Sequence, residues 1–176
     1  IIRLRQRVRD VKDLNTKDEK FILFIDLKSA YDSVDHEILF GKMEKSGFPK
    51  YMINAIKKIY SSARMRLNTL HKVLNVNKGV MQGGINSPSL FNIYIKDLIV
   101  ELKDNNNIVE VLAYADDLAI ICKDKEELNR SIDVIEKWSC DNKIGINKKK
   151  SGILIIDNEG PNSNKIREYP IVRLYK

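Results

Sequence analysis

Two adjacent carboxylates, Asp116 and Asp117, interrupt an apolar stretch, with Val111-Leu112-Ala113 before them and Leu118-Ala119-Ile120-Ile121-Cys122 after. The flanks predict two strands, and the carboxylates fall at the tip of the hairpin between them. Like charges this close repel, and a bound divalent cation relieves them. Hard oxygen ligands of this kind suit Mg²⁺ or Mn²⁺. Asp also favours turns through its backbone tolerance alone, so the pair gains chemical meaning only in company. Asp26 supplies that company. It closes the unbroken apolar run Phe21-Ile22-Leu23-Phe24-Ile25, as expected of a strand buried on both faces, and would stand at the sheet edge, open to a ligand. If that strand pairs with the hairpin, three carboxylates converge. A pair of divalent ions ~3.5–4 Å apart is the usual solution in phosphoryl-transfer sites.

The elements that must position these acids follow from periodicity. Leu4, Val8 and Val11 form a helical stripe ahead of the first strand. Residues 28–46 predict a helix ending at Gly47, and Pro49 opens a second with Ile53, Ile56 and Tyr60 on its apolar face. Residues 64–78 predict a β-ribbon, and Gly79 to Asn86 a loop with three glycines. Ser87-Pro88 then predicts an N-cap and first turn, leading a helix that carries Leu90, Phe91, Tyr94, Leu98 and Leu102. After the hairpin, at about 108–123, Asp124 caps an amphipathic helix with Leu128, Ile132, Ile135 and Trp138 on one face. A basic turn (142–150), a strand (152–157), a polar loop and a final strand over 169–175 complete the chain. This order predicts an α+β fold, an antiparallel sheet with helices packed on one face.

The 176 residues suffice for one domain with a real core, and 43% hydrophobic with 31% charged residues places the chain in the soluble globular class. No apolar run is long enough to span a bilayer, so no membrane partner is expected. A net charge of +7 favours an anionic partner, nucleic acid being the usual one. Cys122 and Cys140 lack metal-binding or disulfide spacing and read as buried, reduced thiols of an intracellular protein. The start at Ile1, without Met, suits a piece of something longer.

Four segments carry a resemblance. Phe24-Ile25-Asp26-Leu27-Lys28-Ser29-Ala30-Tyr31-Asp32-Ser33-Val34-Asp35-His36 resembles motif A of reverse transcriptases, and residues 79–95, with Gln82-Gly83-Gly84 and Ser87-Pro88, resemble motif B. Tyr114-Ala115-Asp116-Asp117 resembles motif C, and Asn147-Lys148-Lys149-Lys150-Ser151 motif D. The likeness is greatest to LINE-type, non-LTR retrotransposon enzymes, with group II intron proteins next. It covers about residues 20–157, with motif A at 21–36, B at 79–95, C at 112–120 and D at 142–152. Met81 stands where some relatives carry Pro.

The resemblance implies an RNA-directed DNA polymerase palm with part of the fingers, two Mg²⁺ or Mn²⁺ ions, an RNA template, a DNA primer and dNTP. Asp26 and Asp116 would ligate both metals, helped by Asp117, with the Leu27 carbonyl completing one shell. Tyr31 falls where the family places the ring that excludes a 2′-hydroxyl by clash; the alternative is a core aromatic. Gln82 and Gly83 would meet the nucleotide, since glycine allows close approach and Gln both donates and accepts. Lys150 falls at the lysine that protonates pyrophosphate, while Lys148 and Lys149 would face phosphates. A merely solvated basic turn competes for all three. Arg64 and Arg66 would touch the template strand; the alternative is exposed strand arginines with no partner role. Asp32 and Asp35 are more simply helix N-terminal charges. The upstream fingers and the thumb of a longer parent chain are missing from the match. Two further readings stay open: a catalytically silent RNA-binding or assembly scaffold, and a metal-dependent nuclease.

Overall fold

The computed structural model describes residues 20–62, 64–67, 72–75, 78–105, 110–114, 117–156 and 166–170. The helix predicted from Leu4, Val8 and Val11 and the polar loop after Asp157 lie outside them. The chain divides into two compact units.

The first unit comprises the described residues of Ile1–Lys28, Leu98–Cys140 and Gly145–Lys176. Its centre is the five-stranded sheet β4-β5-β1-β6-β7, built from β1 (Lys20–Asp26), β4 (Glu110–Tyr114), β5 (Asp117–Cys122), β6 (Gly152–Ile156) and β7 (Ile166–Pro170). Each neighbouring pair is antiparallel. β1 pairs with the hairpin strand β5 on one side and β6 on the other. It is therefore the central strand, and Asp26 stands at its end rather than at the sheet's lateral edge. That position explains the unbroken apolar run, since a central strand must satisfy both faces. The final strand begins earlier than predicted, at Ile166.

Strand alternation sorts the two faces. Phe21, Leu23 and Ile25 share one with Leu118, Ile120 and Cys122, all nearly inaccessible to solvent. Helix α5 (Lys125–Asp141) lies on this face, because its Ser131 Oγ meets Cys122 Sγ at 3.7 Å. Asp124 caps it as expected, accepting from the Glu127 amide at 2.7 Å, and Leu128, Ile132, Ile135 and Trp138 are buried. Burial also pushes the Cys122 thiol up to about 12. Cys140, expected to be buried, is exposed; two residues past Trp138, it has rotated about 200° off the apolar stripe. The second face carries Ile22, Ala119 and Ile121, with Phe24, Leu112 and Leu154 packed against them and only partly buried.

The second unit comprises the described residues of Ser29–Asp97 and Asp141–Ile144. The single helix predicted over 28–46 is in fact two, α1 (Ala30–Ser33) and α2 (His36–Lys45). Val34 leaves helical geometry, and extended Asp35 caps α2 by accepting from the Glu37 and Ile38 amides at 3.1 and 3.3 Å. Gly47, at φ 80°, closes α2 as predicted: its amide donates to Glu44 and that of Phe48 to Met43, the paired bonds of a Schellman ending. Helix α3 (Lys50–Ser62) follows Pro49 and buries Ile53 and Tyr60. The predicted ribbon is β2 (Arg64–Leu67) paired with β3 (Lys72–Asn75). Helix α4 (Ser87–Asn105) belongs to this unit as far as Asp97. Its Ser87 hydroxyl does not cap the helix but donates to the Met81 carbonyl at 2.6 Å, closing the glycine loop on itself.

Lys143 Nζ donates to Asp35 Oδ2 at 2.8 Å. That bond holds the Asp35 carboxyl below its ordinary value of 3.8, with the capped helix amides assisting against burial. A depressed folded-state pKa stabilises in full above the unfolded value and is lost as pH falls through the folded one. Asp35→Asn keeps the cap but loses the ion pair. The stability gap between wild type and Asp35→Asn should therefore be full above about pH 5 and narrow as pH falls below 3.8 toward the lowered folded value. Lys143 is 57% exposed, so the gap should be under ~1 kcal/mol. Urea midpoints across that range check it.

Candidate active site

In the first unit, Asp26 and Asp117 are the last cross-strand pair of the β1–β5 ladder. Both fall on the sheet face opposite α5, in step with Phe24 and Ala119. Asp26 is half-buried and Asp117 exposed. Directly opposed residues carry their Cβ atoms ~4.5–5.5 Å apart, and like charges there destabilise the sheet. The sequence places them so because one acid closes the central strand and the other opens the returning arm of the hairpin. Asp116 lies outside the described residues. Among the described residues, no group of three His, Cys, Asp or Glu gathers. The two acids that are described nonetheless fit a divalent cation: hard oxygen donors, paired charge and access to solvent.

The other flank of Asp26 is held by the loop Gly145–Ser151. The regular β1–β6 ladder ends at Phe24 and Gly152. Beyond it, the Asp26 amide donates to Ser151 Oγ at 3.0 Å, the Asn147 amide to the Asp26 carbonyl at 2.8 Å, and the Lys28 amide to the Gly145 carbonyl at 2.7 Å. The resulting Leu27–Ile146 bridge uses the groups on either side of Leu27. In antiparallel geometry this turns the Leu27 carbonyl away from the loop, toward the hairpin side. The same loop carries Lys148, Lys149 and Lys150, all exposed. Asp26, Leu27, Asp117 and these three lysines thus share one unit.

Tyr31, Gln82 and Gly83 belong to the second unit. Tyr31 is half-buried and stacks on Phe91, with ring centroids 5.0 Å apart and planes at 16°. Its carbonyl accepts from the Val80 amide at 2.8 Å. Gly79, at φ 91°, passes so close to Asp32 that a Cβ would lie 3.2 Å from that residue's backbone. Its carbonyl accepts from His36 Nε2 at 2.8 Å, and its amide donates to Val34. The glycine loop is thereby bound to the α1–α2 segment. Gln82 is exposed and donates to Asp32 Oδ1 at 3.0 Å; Gly83 is exposed at φ 79°. Asp35 serves as the helix cap already described, as its simpler reading expected. Arg64 and Arg66 alternate along β2, opposite Asn75 and Val73.

The hold of Ser151 and Asn147 on Asp26 in the first unit, and of Phe91 on Tyr31 in the second, has no signal in the sequence. A hydroxyl following three lysines looks like part of a solvated turn, and nothing local marks it as the partner of an amide 125 residues away.

The family described as reverse transcriptase (RNA-dependent DNA polymerase) matches residues 2–169. The chain is 30% identical over 125 residues to the retrovirus-related Pol polyprotein from the type-1 retrotransposable element R2 of Nasonia vitripennis, covering 66% of this chain and 12% of that protein. It is 25% identical over 178 residues to the RNA-directed DNA polymerase from mobile element jockey of Drosophila funebris, covering 92% and 18%. Among solved structures, telomerase from Candida tropicalis in complex with the TWJ fragment of telomeric RNA superposes with a TM-score of 0.68 at 17% identity, over 93% of this chain and 30% of that one. The chain thus spans less than a fifth of these two relatives' length, and the telomerase likeness speaks to fold alone. The relatives are mobile-element proteins, in agreement with the branch that the motifs resemble. By its four ordered motifs and a match running nearly end to end, this chain belongs to the reverse transcriptase family.

Proposed function

We propose that this chain forms the palm and part of the fingers of an RNA-directed DNA polymerase, which extends a primer 3′-hydroxyl with dNTP on an RNA template. The observation that carries the reading is the cross-strand pairing of Asp26 with Asp117 at the open end of the sheet. Reverse transcriptases use divalent metal ions. Here Asp26, Asp116, Asp117 and the Leu27 carbonyl would hold two of them. When bound, such ions make the attacking hydroxyl more acidic and stabilise charge on the leaving oxygens. The chain's own groups supply the rest. Asp26 and its hairpin partners orient the reacting centre. Lys150 gives a proton to departing pyrophosphate, and Lys148 and Lys149 face backbone phosphates. Tyr31 excludes a 2′-hydroxyl by clash, Gln82 and Gly83 meet the nucleotide, and Arg64 and Arg66 meet the template.

Primer extension on poly(rA) with Mg²⁺ tests this, using the full-length protein and its Asp116→Ala variant. Extension by the wild type and none by the variant is expected. Template binding without extension by either would favour a scaffold, and primer shortening that the variant loses would make the protein a nuclease.

A further inference from the structure

We propose that Ser151 is a positioning residue: its hydroxyl fixes the backbone of Asp26 and so couples the Lys148–Lys150 loop to the carboxylate at the end of β1. The inference rests on the polymerase reading above and extends it to a residue that does not touch substrate.

β1 and β6 pair regularly from Lys20–Ile156 to Phe24–Gly152. Past that point β6 gives way to a turn, in which the Lys150 and Ser151 amides both donate to the Asn147 carbonyl at 3.0 and 2.9 Å. The Asp26 amide would therefore lose its backbone acceptor one step before the carboxylate is needed. Ser151 Oγ replaces that acceptor at 3.0 Å. Ser151 is 4% exposed, so water is poorly placed to substitute for it. On the carbonyl side, the Asn147 amide holds Asp26 at 2.8 Å. Both backbone groups of Asp26 are thus gripped by one seven-residue loop, Gly145–Ser151, that also displays the three lysines. A partly buried amide left without an acceptor draws the backbone toward another partner. At Asp26 that shift would move the carboxylate relative to Asp117, and sites that share cations tolerate little misplacement. The loop and the carboxylate are thereby tied to one another through the Asp26 backbone, so displacement of the lysines is passed to the strand end that would hold the ions.

The test compares wild type, Ser151→Ala, Ser151→Thr and Ser151→Cys in the full-length protein. Thr keeps the hydroxyl; Cys keeps the size with a weak acceptor. Primer extension across a Mg²⁺ titration should show Ser151→Ala with kcat reduced about tenfold, a several-fold higher Mg²⁺ midpoint and an unchanged KM for primer. Ser151→Thr should stay within about twofold of wild type, and Ser151→Cys should fall between Thr and Ala. A second readout needs no turnover: amide exchange at Asp26 should accelerate about tenfold or more in Ser151→Ala and not in Ser151→Thr. Should the Ala variant fail to fold, the Thr–Cys comparison decides, and equal Mg²⁺ midpoints and exchange rates for the two overturn the proposal. A Ser151→Ala protein with wild-type midpoint and exchange overturns it as well. Absence of extension by wild type, with exchange at Asp26 still governed by Ser151, would instead sink the polymerase reading and leave the backbone grip standing.

Discussion

Asp26→Asn should reduce primer extension by about 10³-fold or more while making the metal-free protein slightly harder to unfold. Both signs follow from one feature. Asp26 and Asp117 oppose each other as the last pair of the β1–β5 ladder. Without cations, two like charges in that register weaken the sheet. Asn removes one charge and keeps the shape, so stability in chelator should rise by on the order of 0.5 kcal/mol. The grips from Ser151 and Asn147 engage backbone atoms and survive the change. Metal-assisted charge stabilisation is worth several kcal/mol, and ~4 kcal/mol corresponds to about 10³ in rate. Melting curves with and without Mn²⁺ give a second check. Wild type should gain stability on adding the ion, and Asp26→Asn should gain little. A variant that keeps both activity and the metal response would reduce the acid pair to an ordinary strand ending.

What the sequence disclosed depends on how local each signal is. The unbroken apolar run ending at Asp26 predicts a strand buried on both faces, and the apolar runs on both sides of Asp116 and Asp117 predict a hairpin; their pairing is the topology found. Gly47 and Asp124 announced helix ends through chemistry confined to a few residues. The break at Val34 and Asp35 was hidden because an acid within a helical pattern reads equally as first-turn charge or as a cap. Only the extended backbone of Asp35, with Lys143 donating to its side chain from 108 positions away, decides between them. Cys140 departs from the usual burial of a thiol because its phase on α5 places it off the apolar face. The contacts that bear most on the acids and on Tyr31 are also distant in sequence: Ser151 with Asp26, and Phe91 with Tyr31. No window short enough to show periodicity contains both partners.

That second contact sets up the other large effect. Phe91 has no solvent exposure and lies in α4, where its ring supports the half-buried Tyr31. Phe91→Ala should destabilise the protein by ~3–5 kcal/mol, because the lost transfer energy is joined by a cavity that close packing cannot fully collapse. Chemical unfolding would measure it. Phe91→Leu is the more telling variant. It keeps most of the volume, so its cost should stay below about 2 kcal/mol. It removes the stacked partner, a contribution of ~0.5–1.5 kcal/mol beyond buried area. If Tyr31 excludes ribonucleotides by clash, its discrimination depends on a ring that cannot yield, and Phe91 is what keeps it from yielding. Phe91→Leu should then lower the dNTP-over-rNTP ratio of kcat/KM by about tenfold, equivalent to ~1.4 kcal/mol. Tyr31→Ala should lower it further, and the double variant should match Tyr31→Ala alone, since Phe91 acts only through the ring it supports. A ratio that falls in Tyr31→Ala but not in Phe91→Leu would mean that Tyr31 holds its place without Phe91. A ratio unmoved in either would leave Tyr31 as a core aromatic and no more.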